Sequence, residues 1–141
     1  PLLADNIAFK SAINDMGQLV DEIPDYWVGV ESRGFLFASA LAHQFGGGIR
    51  IIRKKGKLPN RRLFSVKYGL EYGSDELEMA YIAPHDSGTC VIVDDVLATG
   101  GTIDAAEGLC KLHGLEVKDK VCFMDIGIYN GYDIKSVVQY G

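Results

Sequence analysis

Apolar positions recur at spacings of three and four through Phe9, Ile13, Met16, Leu19, Val20 and Ile23. That period predicts an opening helix, with Asp5 and Asn6 upstream as caps and Pro24 as its end. The pattern then shortens. Residues 26–30 form an apolar run that predicts a buried strand, Ser32-Arg33-Gly34 follows, and residues 35–45 return to a helical spacing. Gly46-Gly47-Gly48 breaks that helix, and residues 49–52 predict a second short strand. From 63 to 82 apolar and polar residues alternate around Tyr68, Gly69, Tyr72 and Gly73. This predicts a strand, an exposed mobile loop over about 67–75, and a returning strand near 77–82. Residues 89–93, with the run C-V-I-V, predict a further buried strand. A glycine-rich turn over 97–102 leads to a helix over 103–112 that Gly114 caps. Residues 116–126 and 136–140 predict two more strands, the last at a sheet edge.

Short apolar strands alternating with helices predict an α/β fold: a mainly parallel central sheet flanked by helices on both faces. The 141 residues, with 48% hydrophobic and 23% charged, fit one domain spanning 1–141. In such sheets ligands bind beyond the carboxyl ends of the strands. The strand exits are therefore where chemistry is expected.

Composition narrows the classes. No apolar run reaches the roughly 18 residues of a membrane span, and residues 1–10 show no basic segment ahead of an apolar stretch, so neither membrane nor secretory signal is expected. Cys90, Cys110 and Cys122 form no CxxC pair, which argues against a disulfide framework or zinc site and for a reducing, cytoplasmic setting. His43, His85 and His113 are equally scattered and read as surface or satisfied core histidines. A net charge of −5 disfavours nucleic-acid binding by field alone. The basic charge is concentrated in R-K-K-G-K-L-P-N-R-R, beginning at Arg53, which suggests a local anionic ligand.

The most informative exit is V-I-V-D-D-V-L-A-T-G-G-T-I, from Val91 to Ile103. Asp94 and Asp95 follow a buried strand. Two adjacent carboxylates there are costly without a partner, and vicinal ribose hydroxyls supply suitable donors. Ala98, Thr99, Gly100, Gly101 and Thr102 then open a helix. The glycines let N–H groups converge, the threonines add hydroxyls, and the helix N-terminus adds partial positive charge, which together make a phosphate cradle. The lysine of a P-loop is absent. The second exit is G-V-E-S-R-G-F, where Arg33 can fork onto pyrophosphate oxygens, Ser32 supplies donors and Gly34 permits close approach. Alone the motif is weak, and a surface arginine in a turn is the commoner case. The third exit, R-K-K-G-K-L-P, reads as a pyrophosphate-neutralising segment, a solvated basic loop or a nucleic-acid patch.

V-I-V-D-D-V-L-A-T-G-G-T resembles the signature of the type I phosphoribosyltransferases for PRPP, 5-phosphoribosyl 1-pyrophosphate. S-R-G-F, R-K-x-G-K-L-P and L-E-Y-G-S-D-E-L-E-M resemble the adenine phosphoribosyltransferases in particular, over about residues 1–126. The resemblance implies the fold of that family and a transfer from PRPP to adenine that yields AMP and pyrophosphate, as in purine salvage. It implies that Asp94 and Asp95 hold the ribose hydroxyls and that Ala98, Thr99, Gly100, Gly101 and Thr102 wrap the 5-phosphate. Glu31, Ser32, Arg33, Gly34, Arg53, Lys54 and Lys57 would face the pyrophosphate, with a non-proline cis peptide at Glu31–Ser32. Glu71 would be the acid–base residue, on a loop closing over the substrates, with Tyr72 and Leu97 beside the loop and base. Mg²⁺ would be the cofactor, held mainly through PRPP with no direct protein ligand. A homodimer is implied, with residues 53–57 near its interface.

The chain also departs from that pattern. It begins where the N-terminal hood over the base would be ending, so most of the hood is expected to be missing, and G-I-Y-N-G-Y near the carboxyl end matches no family motif. Base recognition stays open on this reading. Xanthine, hypoxanthine or a pyrimidine are alternatives, although Arg33 stands where xanthine-type relatives tend to have a small residue. A PRPP-sensing regulator without catalysis is a second alternative. Glu71 and the absence of room for a DNA-binding domain in 141 residues argue against it. An inactive fragment is a third.

Overall fold

The computed structural model describes residues 1–55, 63–70, 73–80, 87–97, 100–127 and 133–139. A 3₁₀ turn (Leu2–Ala4) leads into α1 (Asn6–Gly17), β1 (Tyr26–Val30), α2 (Arg33–Phe45) and β2 (Gly48–Lys54). Then come β3 (Leu63–Leu70), β4 (Gly73–Ala80), β5 (Gly88–Leu97), α3 (Gly101–Leu112), β6 (Leu115–Asp125) and β7 (Ile134–Gln139). The seven strands form one sheet in the order β3-β4-β2-β1-β5-β6-β7. β2, β1, β5, β6 and β7 run parallel, while β4 is antiparallel to β2 and β3 antiparallel to β4.

The unbroken apolar runs of β1 and β5 follow from burial on both faces. Val28, Val30, Cys90 and Ile92 point to one side, where Ala105, Ala106, Leu109 and Cys110 of α3 cover them. Trp27, Val91 and Val93 alternate to the other side, under Ile13 and Met16 of α1 and Phe37, Ala38 and Leu41 of α2. Connections from β1 and β5 thus leave on opposite faces of the sheet. That makes their shared carboxyl edge the switch point where a crevice opens.

Register sharpens that geometry. β1 pairs with β5 only as far as Gly29↔Val93, whereas β5 continues beside β6 to Leu97↔Asp125. Asp94 and Asp95 therefore lie on a strand that outruns its neighbour. The strand predicted over 89–93 is longer than its apolar run because β6 supplies hydrogen bonds after β1 has ended.

Two further boundaries differ from the periodicity. α1 stops at Gly17 although apolar spacing continues to Ile23. A Cβ on Gly17 would stand 2.1 Å from Cε2 of Phe45, so the helix end is fitted against α2, and the Leu19 carbonyl accepts from Lys135 Nζ at 3.0 Å instead of continuing the helix. The predicted loop over 67–75 is mostly strand. β3 and β4 pair from Leu63↔Ala80 to Leu70↔Gly73, which leaves only residues 71 and 72 between them, outside the described residues. α1 does open as expected, on Asp5 Oδ1, which accepts from the N–H groups of Ile7 and Ala8 at 3.0 and 3.1 Å.

The far end of β4 is tied to the sheet by a buried polar group. Arg50 Nη2 donates to the Ala80 carbonyl at 2.7 Å and lies 3.4 Å from His113 Nδ1. His113 Nε2 stands 3.1 Å from the Met79 carbonyl, and the guanidinium sits 5.5 Å over the Tyr26 ring. His113 is thus a satisfied core histidine at the end of α3. Its replacement, His113→Leu, is expected to destabilise the fold by about 1–3 kcal/mol in urea unfolding, because buried polar groups on Arg50 and Met79 lose a partner. Unchanged stability would mean that the contact contributes nothing.

Candidate active site

The site is assembled at the carboxyl edge of β1, β5 and β2. At the β1 exit the Glu31–Ser32 peptide is cis, as the resemblance implied. Ser32 is the N-cap residue of α2 and Arg33 its first helical residue. Gly34 allows the helix to sit tightly on β5: a Cβ there would be 2.8 Å from the Val93 carbonyl and 3.4 Å from Asp94 Oδ1. Any side chain would push α2 away from the acidic pair.

The first and second exits meet directly. Arg33 Nε lies 2.7 Å from Asp95 Oδ2, and the Asp95 N–H donates to Asp94 Oδ1 at 2.8 Å. Burial pushes the Asp94 carboxyl up from 3.8 to about 8, aided by its side-chain hydrogen bond and the charge of Asp95, against the lowering effect of the Asp95 N–H and of Arg33. Asp94 consequently binds its proton more tightly than an ordinary carboxyl. The carboxylate that faces the guanidinium belongs to Asp95.

The cradle is placed beside them. Gly100 has φ 86°, a left-handed conformation suited to glycine, and serves as the N-cap of α3 without any side-chain cap. Gly101 and Thr102 open the helix. First-turn N–H groups have no acceptor within a helix, so they face outward with the positive end of the helix dipole. Ala98 and Thr99 lie outside the described residues.

The third exit meets the second through Glu31. Its N–H donates to the Ile52 carbonyl at 2.9 Å, and its Oε1 accepts from the Lys54 N–H at 2.9 Å and lies 3.4 Å from Arg53 Nε. Glu31 is therefore engaged in holding the end of β2, a different place from the anion contact implied for it. Arg53 also lies 5.7 Å over the Phe35 ring. Sequence reasoning missed this use of Glu31 and Phe35. The available signal was an acid of β1's exit and an aromatic of α2 flanking a basic strand end. Lys55 pairs with Glu76 of β4 at 3.3 Å, and Lys57 lies outside the described residues.

Leu97 is the other departure. It was expected beside the base, but it is 2% exposed and packs with Ile103 and Cys122. The end of β5 turns it inward, beneath the start of α3. Glu71 and Tyr72 lie outside the described residues. Among the described residues, no three His, Cys, Asp or Glu side chains come together as a metal site.

Residues 2–128 match the family model described as phosphoribosyl transferase domain. The chain is 41% identical to the adenine phosphoribosyltransferase of Roseiflexus castenholzii, over 99% of this chain and 85% of the relative. It is 43% identical to that of Hydrogenovibrio crunogenus, over 99% and 83%. The chain belongs to the adenine phosphoribosyltransferase family. A solved adenine phosphoribosyltransferase from Thermoanaerobacter pseudethanolicus superimposes with a TM-score of 0.91 at 37% identity, covering 99% of this chain and 85% of that one. The Saccharomyces cerevisiae adenine phosphoribosyltransferase, solved with an imino-altritol bisphosphate and adenine, gives 0.82 at 35% identity over 89% and 73%. The mainly parallel sheet with helices on both faces is thus the fold of this family.

The raised Asp94 sets a pH response of the protein's stability. Asp94 binds its proton more tightly folded than unfolded, so stability falls as pH rises from about 4 to about 8, and the penalty is complete above that. Asp94→Asn is expected to raise Tm at about pH 9 and to flatten the decline between about pH 5 and pH 9. A decline of wild-type size in the variant would contradict the assignment.

Proposed function

We propose that the protein transfers the phosphoribosyl group of PRPP to a nitrogen of adenine, forming AMP and pyrophosphate. The observation that carries this reading is the meeting of Arg33 with Asp94 and Asp95, beside the N-terminus of α3, at the switch point of the sheet. A pyrophosphate-binding cation, a sugar-binding acid pair and a phosphate-binding helix end lie together where an α/β sheet binds ligands. Adenine as the base is supported by relatives named adenine phosphoribosyltransferase and by a Giardia lamblia neighbour, 28% identical with a TM-score of 0.86, solved with 9-deazaadenine.

The chemistry asks mainly for positioning and electrostatics. Departure of pyrophosphate from the anomeric carbon leaves an oxocarbenium-like sugar, and the purine nitrogen attacks from the opposite face. Asp94 and Asp95 grip the ribose hydroxyls and hold the ring, and the N–H groups of Gly101 and Thr102 fix the 5-phosphate. Arg33, with Arg53 and Lys54 held by Glu31, stabilises the charge on the leaving group. Glu71 handles the purine proton, and the β3–β4 hairpin that carries it excludes water from PRPP.

Mg²⁺ fits this donor set. Mg²⁺ would be held mainly through the substrate's own hydroxyl and pyrophosphate oxygens, which are hard donors, beside the ribose that Asp94 and Asp95 would grip, since it favours oxygen and keeps several waters. Bound with PRPP, it neutralises pyrophosphate charge. The setting we assign is cytoplasmic, without nucleic acid or membrane as partner: the net charge is −5, and no helix among the described residues is long and apolar enough to cross a membrane. A homodimer is supported by Ile49 and Ile51, which are exposed and share the side of β2 that carries Arg53 by strand parity.

The test is pyrophosphate release from PRPP with adenine, hypoxanthine, xanthine and a pyrimidine in turn, with and without Mg²⁺. Turnover is expected with adenine and Mg²⁺. Glu71→Gln is expected to lower kcat by about 10²–10⁴-fold, the usual range for lost acid–base help. Asp94→Asn combined with Asp95→Asn is expected to abolish measurable turnover. No turnover on any base would remove the reading, and an undiminished double variant would remove the ribose assignment.

A further inference from the structure

The contact between Arg33 and Asp95 joins two groups that the proposed reaction assigns to different parts of one substrate. Arg33 belongs to the pyrophosphate and Asp95 to the ribose, yet they lie 2.7 Å apart as an ion pair. We propose that this pair is a specificity device: it masks Arg33 against free pyrophosphate and yields it to PRPP. The proposal rests on the reading of the site given above.

The argument is one of what each ligand leaves behind. PRPP replaces both partners in a single event, since its pyrophosphate takes the guanidinium while its hydroxyls donate to the carboxylate. Free pyrophosphate takes Arg33 and brings net negative charge, without the pair of neutral hydroxyl donors that the ribose offers Asp95. Asp95 is the sheltered member of the pair, with 16% of its side chain exposed against 67% for Arg33. A carboxylate that sheltered, deprived of its cation and facing added negative charge, is unfavourable. A sugar phosphate alone has the opposite effect: it occupies Asp95 and releases Arg33 to water, where most of that side chain already lies. The cost of breaking the pair therefore falls on free pyrophosphate.

The surroundings deepen the asymmetry. Asp94 sits directly behind Asp95, which uses its N–H on Asp94 Oδ1. Gly34 brings the first turn of α2 against the β5 end, which fixes where Arg33 starts. Arg53, the next guanidinium along this edge, stands beside Glu31 and over Phe35. Asp95 thus has Arg33 as the cation shown at contact distance, and losing it is not made good by Arg53 in that position.

Calorimetric titration with inorganic pyrophosphate, without metal, tests this in wild type, Asp95→Asn, Arg33→Gln and the double variant. Asp95→Asn is expected to bind pyrophosphate about three- to five-fold more tightly than wild type, the scale of a largely exposed ion pair, while its affinity for PRPP falls. In the Arg33→Gln background the same change is expected to give no gain. A gain of equal size in both backgrounds would show only a general loss of negative charge and would overturn the proposal, as would no gain in either. Asp95→Ser repeats the comparison if the asparagine variant fails to fold. Wild-type turnover with adenine is measured separately: turnover without the pair-dependent gain would refute the masking and leave the function standing, and the reverse result would refute the function alone.

Discussion

Two carboxylates on a strand that extends past its neighbour are the constraint on which the rest of the structure depends. β5 reaches Leu97 because β6 accompanies it, while β1 stops level with Val93. The overhang carries Asp94 and Asp95 into the crevice between two connections that leave on opposite faces. Asp94 is buried deeply enough to hold a proton up to about pH 8, and Asp95 takes its cation from the start of the facing helix. An acid pair in that place is costly unless one member holds a proton or a cation or hydroxyl donors stand beside it: Asp94 takes the first course and Asp95 the second.

The glycines and the glutamate around that pair are best understood as its supports. Gly34 lets α2 lie against the Val93 carbonyl, so Arg33 starts close enough to reach Asp95. Gly100 turns the chain so that α3 begins beside the acids with its first N–H groups turned outward. Glu31 gathers Arg53 and the Lys54 backbone at the end of β2. Binding groups from three strand exits are thereby held on rigid elements, which is how a site that works by positioning is built.

Much of this was legible in the chain because the signals were local. Asp94-Asp95 and Gly100-Gly101-Thr102 carry their chemistry in consecutive residues, and the burial of Val91, Ile92 and Val93 on both faces of the sheet follows from a run without polar interruptions. Long-range contacts were not legible. The early stop of α1 depends on Phe45 meeting Gly17, and the length of β5 depends on where β6 pairs. The contacts of Glu31 and Leu97 were not legible for the same reason: each lies next to candidate site residues in sequence, but the partners of their side chains, Lys54 on β2 and Cys122 on β6, come from elsewhere. The centre of the hairpin, 67–75, read as a loop because its glycines and tyrosines weaken an alternation that the ladder between β3 and β4 nevertheless sustains.

A crystal structure with AMP bound measures the central claim most directly. The account predicts ribose hydroxyls at about 2.5–3.0 Å from the carboxylates of Asp94 and Asp95, with the phosphate over the first N–H groups of α3 and the Arg33–Asp95 pair opened. AMP seated away from this edge, or a ribose that leaves both carboxylates untouched, would contradict it.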